Sequence, residues 1–198
     1  NAASELDNVR FDDTYLDIIN AAKVDFSVGR NSSAREAMLK AVEKMTHGTV
    51  IYDVKRDEFY LKSGSSKQEF NLIAEGIRKM ALLWQLIKNG TLENGSILFW
   101  DEPEANINPT YIPIIVEILL ELQRKGVQVF VSTHDYMLAS YFEVKKSEHD
   151  ILMFHSLSIT GTACGVTYEK AEKFADLQNN PIISAFDKLL NEIYDIGL

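Results

Sequence analysis

The sequence holds a single cysteine, Cys164, and only four prolines. One thiol closes no internal disulfide, so the chain is not a disulfide-stapled scaffold, and Cys164 reads as a reduced thiol packed as a small residue rather than as a nucleophile. No uninterrupted apolar stretch approaches the roughly 20 residues that span a bilayer, and the N-terminus lacks the basic-then-apolar pattern of a secretory signal. Membrane insertion is therefore not expected, and the expected compartment is the cytoplasm. Positive charge is also short: 20 Lys and Arg against 29 Asp and Glu leave a net charge of −9. The two signs are interspersed, no basic stripe faces a nucleic acid backbone, and nucleic acid binding finds no support in the charge. Ten glycines are present, yet none opens the Gly-x-x-x-x-Gly-Lys-Ser/Thr loop that cradles phosphates. Gly90 and Gly95 have the right separation, but Ser96-Ile97 follows them. The chain starts Asn1-Ala2-Ala3 without methionine, which reads as the remnant of a cleaved tag joined to an internal start; a truncated piece of a longer protein is expected.

What is present is ordinary globular material, 198 residues of which 46% are hydrophobic and 25% charged, enough for a substantial core. Tyr15, Ile18, Ile19 and Ala22, then Ala37, Ala41 and Met45 after a cap at Ser32 or Ser33, recur at helical spacing and predict two helices between Asp12 and Lys44, read as an arm or linker. Thr49–Val54 and Glu58–Leu61 predict a small β-hairpin across Lys55-Arg56-Asp57, and Ser63–Gln68 reads as a polar loop. From Leu72 onward helices alternate with strongly apolar strands, the pattern of a parallel α/β sheet. The helices are expected at Ile73–Lys88, Tyr111–Lys125 and Tyr136–Glu143. The strands are expected at Ile97–Trp100, Val127–Val131 and Ile151–Phe154, with short apolar strands of this kind buried on both faces. A hairpin around Gly161 and Gly165 and a last helix at Ile182–Tyr194 complete the chain. The expected division is an arm and hairpin over 1–62 and an α/β lobe over 63–198.

The chemistry concentrates at two strand ends. Ile97-Leu-Phe-Trp-Asp-Glu-Pro103 delivers two adjacent acids to the carboxyl edge of a sheet, where open α/β folds bind ligands. Asp101 suits Mg²⁺ held through water, and Glu102 suits polarisation of a water attacking a γ-phosphate; a solvated acidic turn is the plain alternative. One βα unit later, Val127–Val131 delivers Ser132-Thr133-His134-Asp135 to the same edge, where an imidazole donates to a phosphate oxygen or serves the fold alone.

Asp101-Glu102-Pro103-Glu104, Asn108-Pro109 and Ser132-Thr133-His134 resemble the Walker B motif, D-loop and switch-histidine loop of ABC-type ATPase heads. The form Asp-Glu-Pro-Glu-Ala-Asn-Ile-Asn-Pro resembles the bacterial ABC-like AAA ATPases related to RecF, SMC and OLD proteins. The resemblance runs from about Leu72 to the C-terminus. It implies a P-loop NTPase fold of the ABC-head type, C-terminal portion, with ATP and Mg²⁺ as ligands and a head-to-head homodimer as partner arrangement. Within it Asp101 is the Mg²⁺ residue, Glu102 the general base, His134 the γ-phosphate switch, and Asn106 and Asn108 the D-loop; helix capping is the plain reading of the two asparagines. The signature falls on Ala74-Glu75-Gly76-Ile77-Arg78, where Gly76 and Arg78 fit and Ala74 replaces the usual serine hydroxyl. Two other classes stay open: a non-hydrolysing module that binds a protein partner, and a metal-dependent nuclease or phosphatase built on Asp101, Glu102 and His134. With no phosphate loop in the sequence, the purified 198-residue chain is expected to show only background ATP hydrolysis with Mg²⁺ in a phosphate-release assay; turnover above background would place a phosphate cradle among these residues.

Overall fold

The computed structural model describes residues 13–24, 32–160 and 165–195. The expectations that fall on the first three residues, Gly161 and Cys164 lie outside them. The chain forms two compact units, Asn1–Ser96 and Ile97–Leu198.

In the first unit, helices α1 (Asp13–Lys23) and α2 (Ser33–Thr46) precede strands β1 (Thr49–Asp53), β2 (Glu58–Ser63) and β3 (Ser66–Glu69) and helix α3 (Glu75–Lys88). Ser32 caps α2, its hydroxyl accepting from the Arg35 amide. Met38, Leu39, Val42 and Met45 stack on one face of α2, and Met80, Leu83, Trp84 and Ile87 on one face of α3, all buried. Trp84 Nε1 donates to Glu43 Oε1 at 3.0 Å across the two helices. The final carbonyls of α1 are satisfied by side chains rather than by a further turn. Gln85 Nε2 donates to Ala22 O at 2.9 Å, and Asn89 Nδ2 donates to Ala21 O at 2.8 Å.

The expected hairpin is present and carries a third strand. β1 and β2 pair antiparallel with Asp53 opposite Glu58, and β2 pairs antiparallel with β3, Ser63 opposite Ser66. The polar loop expected at Ser63–Gln68 is thus a tight turn followed by a strand. Only Gly64 and Ser65 lie between the paired ends, and Gly64 has φ +58°, a value that glycine adopts without steric cost.

In the second unit, β4 (Ile97–Asp101), α4 (Ile112–Arg124), β5 (Gln128–Ser132) and α5 (Tyr136–Lys145) follow in order. β4 and β5 pair in parallel, Ile97 opposite Gln128 through Asp101 opposite Ser132. α4 is buried along Ile115, Val116, Leu119 and Leu122, and it packs against β5 and α5. The expectation of strands buried on both faces is not met. Exposure alternates along both strands: Ile97 is 55% exposed, Phe99 74% and Phe130 45%. Phe99 and Phe130 stack on this open face with ring centroids 4.8 Å apart. On the other face α4 packs against β5.

The strand expected at Ile151–Phe154 begins only at Phe154. β6 (Phe154–Thr160) pairs antiparallel with β7 (Gly165–Ala171), and the Phe154–Ala171 pair is the end of that ladder, so Ile151–Met153 have no strand to pair with. α6 (Pro181–Asp195) closes the unit, Phe186 stacking on Tyr136 at 3.8 Å. Among the described residues no helix is long and apolar enough to cross a membrane.

The segment between α5 and β6 is pinned by one ion pair. Arg124 Nε donates to Asp150 Oδ1 at 2.8 Å and Nη2 to Oδ2 at 2.6 Å, while the Ser147 amide donates to Oδ2 at 2.7 Å. The Asp150 side chain is 1% exposed. The guanidinium beside it, aided by the Ser147 amide, holds its carboxyl well below the usual carboxylate range. A carboxyl depressed in the folded state adds stability above its unfolded pKa, near 4, and that stability is lost as pH falls through the lower folded value. Asp150→Asn should lower unfolding stability at pH 7 by about 1–2 kcal/mol, at the modest end because Arg124 is partly solvated. It should also flatten the acid limb below about pH 4 in urea titrations run at several pH values; an unchanged limb would show that this pair does not set it.

Candidate functional site

β4 and β5 end together because they are parallel and in register, with Asp101 opposite Ser132. Polar residues directly after the two strands therefore meet at one edge. The Ser132 hydroxyl donates to Asp101 Oδ1, and the Glu102 amide donates to Ser132 O at 2.9 Å. Asp101, Glu102 and His134 are all exposed to solvent.

The turn after β4 is unusual in its backbone. Glu102 has φ +44° and Asn106 φ +62°, left-handed values that residues with a β-carbon avoid. The local bonds that hold them are Ala105 N to Glu102 O at 3.1 Å and Ile107 N to Glu104 O at 3.1 Å, and Pro103 between them is fully buried. Non-glycine residues in this region persist where the surroundings over-determine them, and such residues cluster at functional sites. The chain thus bends sharply at the residue expected to act as base, and that residue is exposed.

Asn108 accepts from Thr110 N at 3.0 Å and from Thr110 Oγ1 at 2.9 Å, so its side chain caps the short 3₁₀ turn Pro109–Tyr111 that leads into α4. Its capping role is therefore realised, and Pro109 occupies the first turn, where a missing amide is harmless. Gly76 and Arg78 belong to the first unit and are described within it. The bond Arg78 N to Ala74 O closes the first turn of α3, and Ala74 caps it without a side-chain hydrogen bond. Gly76 is buried, and Arg78 lines an apolar cavity of about 310 Å³ with Ile18, Ile19, Phe59 and Leu82.

Two residues at the edge were quoted in the sequence motif without a role. Thr133 Oγ1 donates to Glu104 Oε1 at 2.5 Å and accepts from Asp135 N at 2.9 Å, and Asp135 Oδ1 caps α5 through Leu138 N at 2.6 Å. The signal available in sequence was only the side-chain chemistry, an acid and a hydroxyl at the ends of adjacent strands.

No group of three or more His, Cys, Asp or Glu residues able to hold a metal occurs among the described residues. That donor set does not suit a metal caged by protein. It does fit Mg²⁺, which keeps several waters and takes one or two carboxylates together with substrate phosphates. Asp101, fixed by Ser132 and exposed at the strand end, is the residue present for it.

The model of one protein family, described as "AAA domain, putative AbiEii toxin, Type IV TA system", matches residues 15–140. No curated protein is significantly similar in sequence. Among solved structures, the SMC head bound to the C-terminal winged-helix domain of ScpA aligns at 12% identity and TM-score 0.51, over 73% of this chain and 44% of that one. The SMC head domain with coiled coil and joint from Pyrococcus yayanosii aligns at 10% identity and TM-score 0.50, over 79% of this chain and 29% of that one. An SMC ATPase described for ATP-driven dimerization and DNA-stimulated activation aligns at 10% identity and TM-score 0.48, over 80% of this chain and 94% of that one. The chain thus spans less than half of the two SMC heads that it matches at a TM-score of 0.5 or above. At these identities the likeness is one of fold, the P-loop NTPase fold with its parallel sheet.

The strained turn carries its own test. Valine, branched at Cβ, is penalised more than glycine at φ +44° by about 1–2 kcal/mol. Glu102→Val should therefore unfold in urea at lower stability than Glu102→Gly by that margin; equal stabilities would mean that the turn relaxes out of the left-handed region.

Proposed function

The chain belongs to the AAA-domain family whose model spans residues 15–140, and from that premise we propose that it supplies the Walker B, D-loop and switch-histidine half of an ATP-hydrolysing head. The observation that carries this reading is the shared strand edge, with Asp101 bonded to Ser132 and the strained Glu102 beside the His134 loop. Mg²⁺, when bound, neutralises phosphate charge and orients the γ-phosphate. Asp101 would hold it, through water. Glu102 accepts the proton of the attacking water, a reading supported by its exposure at the end of β4. His134 donates a hydrogen bond to a γ-phosphate oxygen and so reports its presence.

The phosphate cradle comes from residues outside these 198, since no Gly-x-x-x-x-Gly-Lys-Ser/Thr occurs in them. Two heads pair face to face in the proposed arrangement. Asn106 and Asn108 touch the partner there, and the first turn of α3, with Gly76 and Arg78, meets the nucleotide held by the partner. The expected compartment remains the cytoplasm, and closure of the heads would move the helices before Thr49.

One observation favours a second reading, a non-hydrolysing module that binds a protein partner: the apolar face of β4 and β5 is open at Phe99 and Phe130. The two readings separate on one variant. In the protein with its phosphate loop in place, Glu102→Gln should lower ATP turnover by about 100-fold or more while ATP is still bound. Unchanged turnover removes Glu102 as the base, and the absence of any turnover in the unsubstituted protein leaves the binding module.

A further inference from the structure

Glu104 lies two residues past the proposed base, and Thr133 lies one residue before the proposed switch histidine. Thr133 Oγ1 accepts from the Asp135 amide and donates its single proton to Glu104 Oε1, so the direction of the relay is fixed. Asp135 is in turn locked as the cap of α5 by Leu138 N. Both neighbours of His134 in the chain are therefore held. On the other side, Glu104 is fixed by the bonds that bend the Glu102 turn, Ala105 N to Glu102 O and Ile107 N to Glu104 O. The two loops are thus joined twice, by the backbone bond from Glu102 N to Ser132 O and by the side-chain bridge from Thr133 to Glu104.

The bridge is not explained by stability alone. Glu104 Oε2 is buried and has no hydrogen-bond partner among the described residues, and a carboxylate oxygen withdrawn from water without a donor destabilises the fold. An apolar pair would close the same gap without that penalty.

We propose that Glu104 is a positioning residue which, through Thr133, fixes the loop carrying His134 against the turn carrying Glu102, so that the switch imidazole and the base keep one geometry. This rests on the ATPase reading above. Glu104 touches neither nucleotide nor water in this role; its effect passes through Thr133.

The experiment measures turnover of Mg²⁺-ATP by the protein with its phosphate loop in place, with Glu102→Gln run alongside as the check on the ATPase reading itself. Misplacing a catalytic group by about 1 Å costs up to about 100-fold, so Glu104→Ala and Thr133→Val are each expected to lower kcat by about 10- to 100-fold. KM for ATP should stay within about two-fold, since the nucleotide contacts are untouched. The double variant should be no slower than either single one, because both remove the same bridge. Glu104→Gln keeps the accepting oxygen and should restore most of the rate. If Glu104→Ala fails to fold, Thr133→Val and Glu104→Gln carry the comparison.

Wild-type turnover in Glu104→Ala or Thr133→Val overturns the positioning role, as do losses that multiply in the double variant or a Glu104→Gln as slow as Glu104→Ala. Full turnover in Glu102→Gln removes Glu102 as the base, and the absence of turnover in the unsubstituted protein strikes at the ATPase reading. The positioning role is then decided on the 198-residue chain by the NMR signals of the His134 ring. They are expected to shift in Glu104→Ala and Thr133→Val and to return in Glu104→Gln; signals that stay in place overturn it.

Discussion

The parallel pairing of β4 with β5 is the constraint on which the rest of the second unit depends. Antiparallel strands would place Asp101 and Ser132 at opposite ends of the ladder; parallel strands in register bring them side by side. Parallel neighbours need a long connection, and here it runs through the Glu102–Asn108 turn and the buried helix α4, which packs against β5. The helix that permits the pairing also supplies the core beneath it. Everything at the edge follows: the Ser132 hydroxyl reaches Asp101, the Glu102 amide reaches Ser132, and Thr133 reaches Glu104.

The edge is strained as well as ordered. Two residues with positive φ within five positions cost on the order of 1–3 kcal/mol each, and neither Glu102 nor Asn106 is a glycine that would avoid the cost. A glycine at 102 would relieve the backbone and lose the carboxylate. The glutamate side chain and the left-handed bend are in conflict, and buried Pro103 with the backbone bonds around it holds the bend in place.

Legibility in the sequence followed how local each feature was. α2, α3 and α4 announce themselves by apolar spacing because each buries one face, and Ser32 was readable as a cap because capping acts over three residues. β3 was hidden because Ser66–Glu69 is polar and wholly exposed; backbone pairing to β2 makes it a strand, and the Gly64-Ser65 turn was the one trace of it. Ile151–Met153 erred the other way: three apolar residues suggest a strand, but a strand needs a partner, and β7 has ended at Ala171. At the site, Asp101, Glu102 and His134 were visible as a motif, and the meeting of the two strand ends that precede them followed from expecting a parallel sheet. The Glu104–Thr133 bridge spans 29 residues and has no periodicity, so only the register of two strands could disclose it.

The alternation that leaves Phe99 and Phe130 exposed has a consequence for the site itself. Side chains two apart on a strand share a face, so Ile97, Phe99 and Asp101 lie on one face of β4, and Gln128, Phe130 and Ser132 lie on the same face of β5. The stacked aromatic pair is thus continuous with the bonded Asp101–Ser132 pair, two residue pairs further along the ladder and next on the same face. Parallel sheets are stable when both faces are covered, and any element that buries the two phenylalanines must abut Asp101. An element seated on this apolar face would therefore lie beside the carboxylate that the ATPase reading assigns to Mg²⁺. Hydrophobic contact, which has no direction of its own, supplies the driving force, and the fixed carboxylate at the end of the strand supplies the geometry.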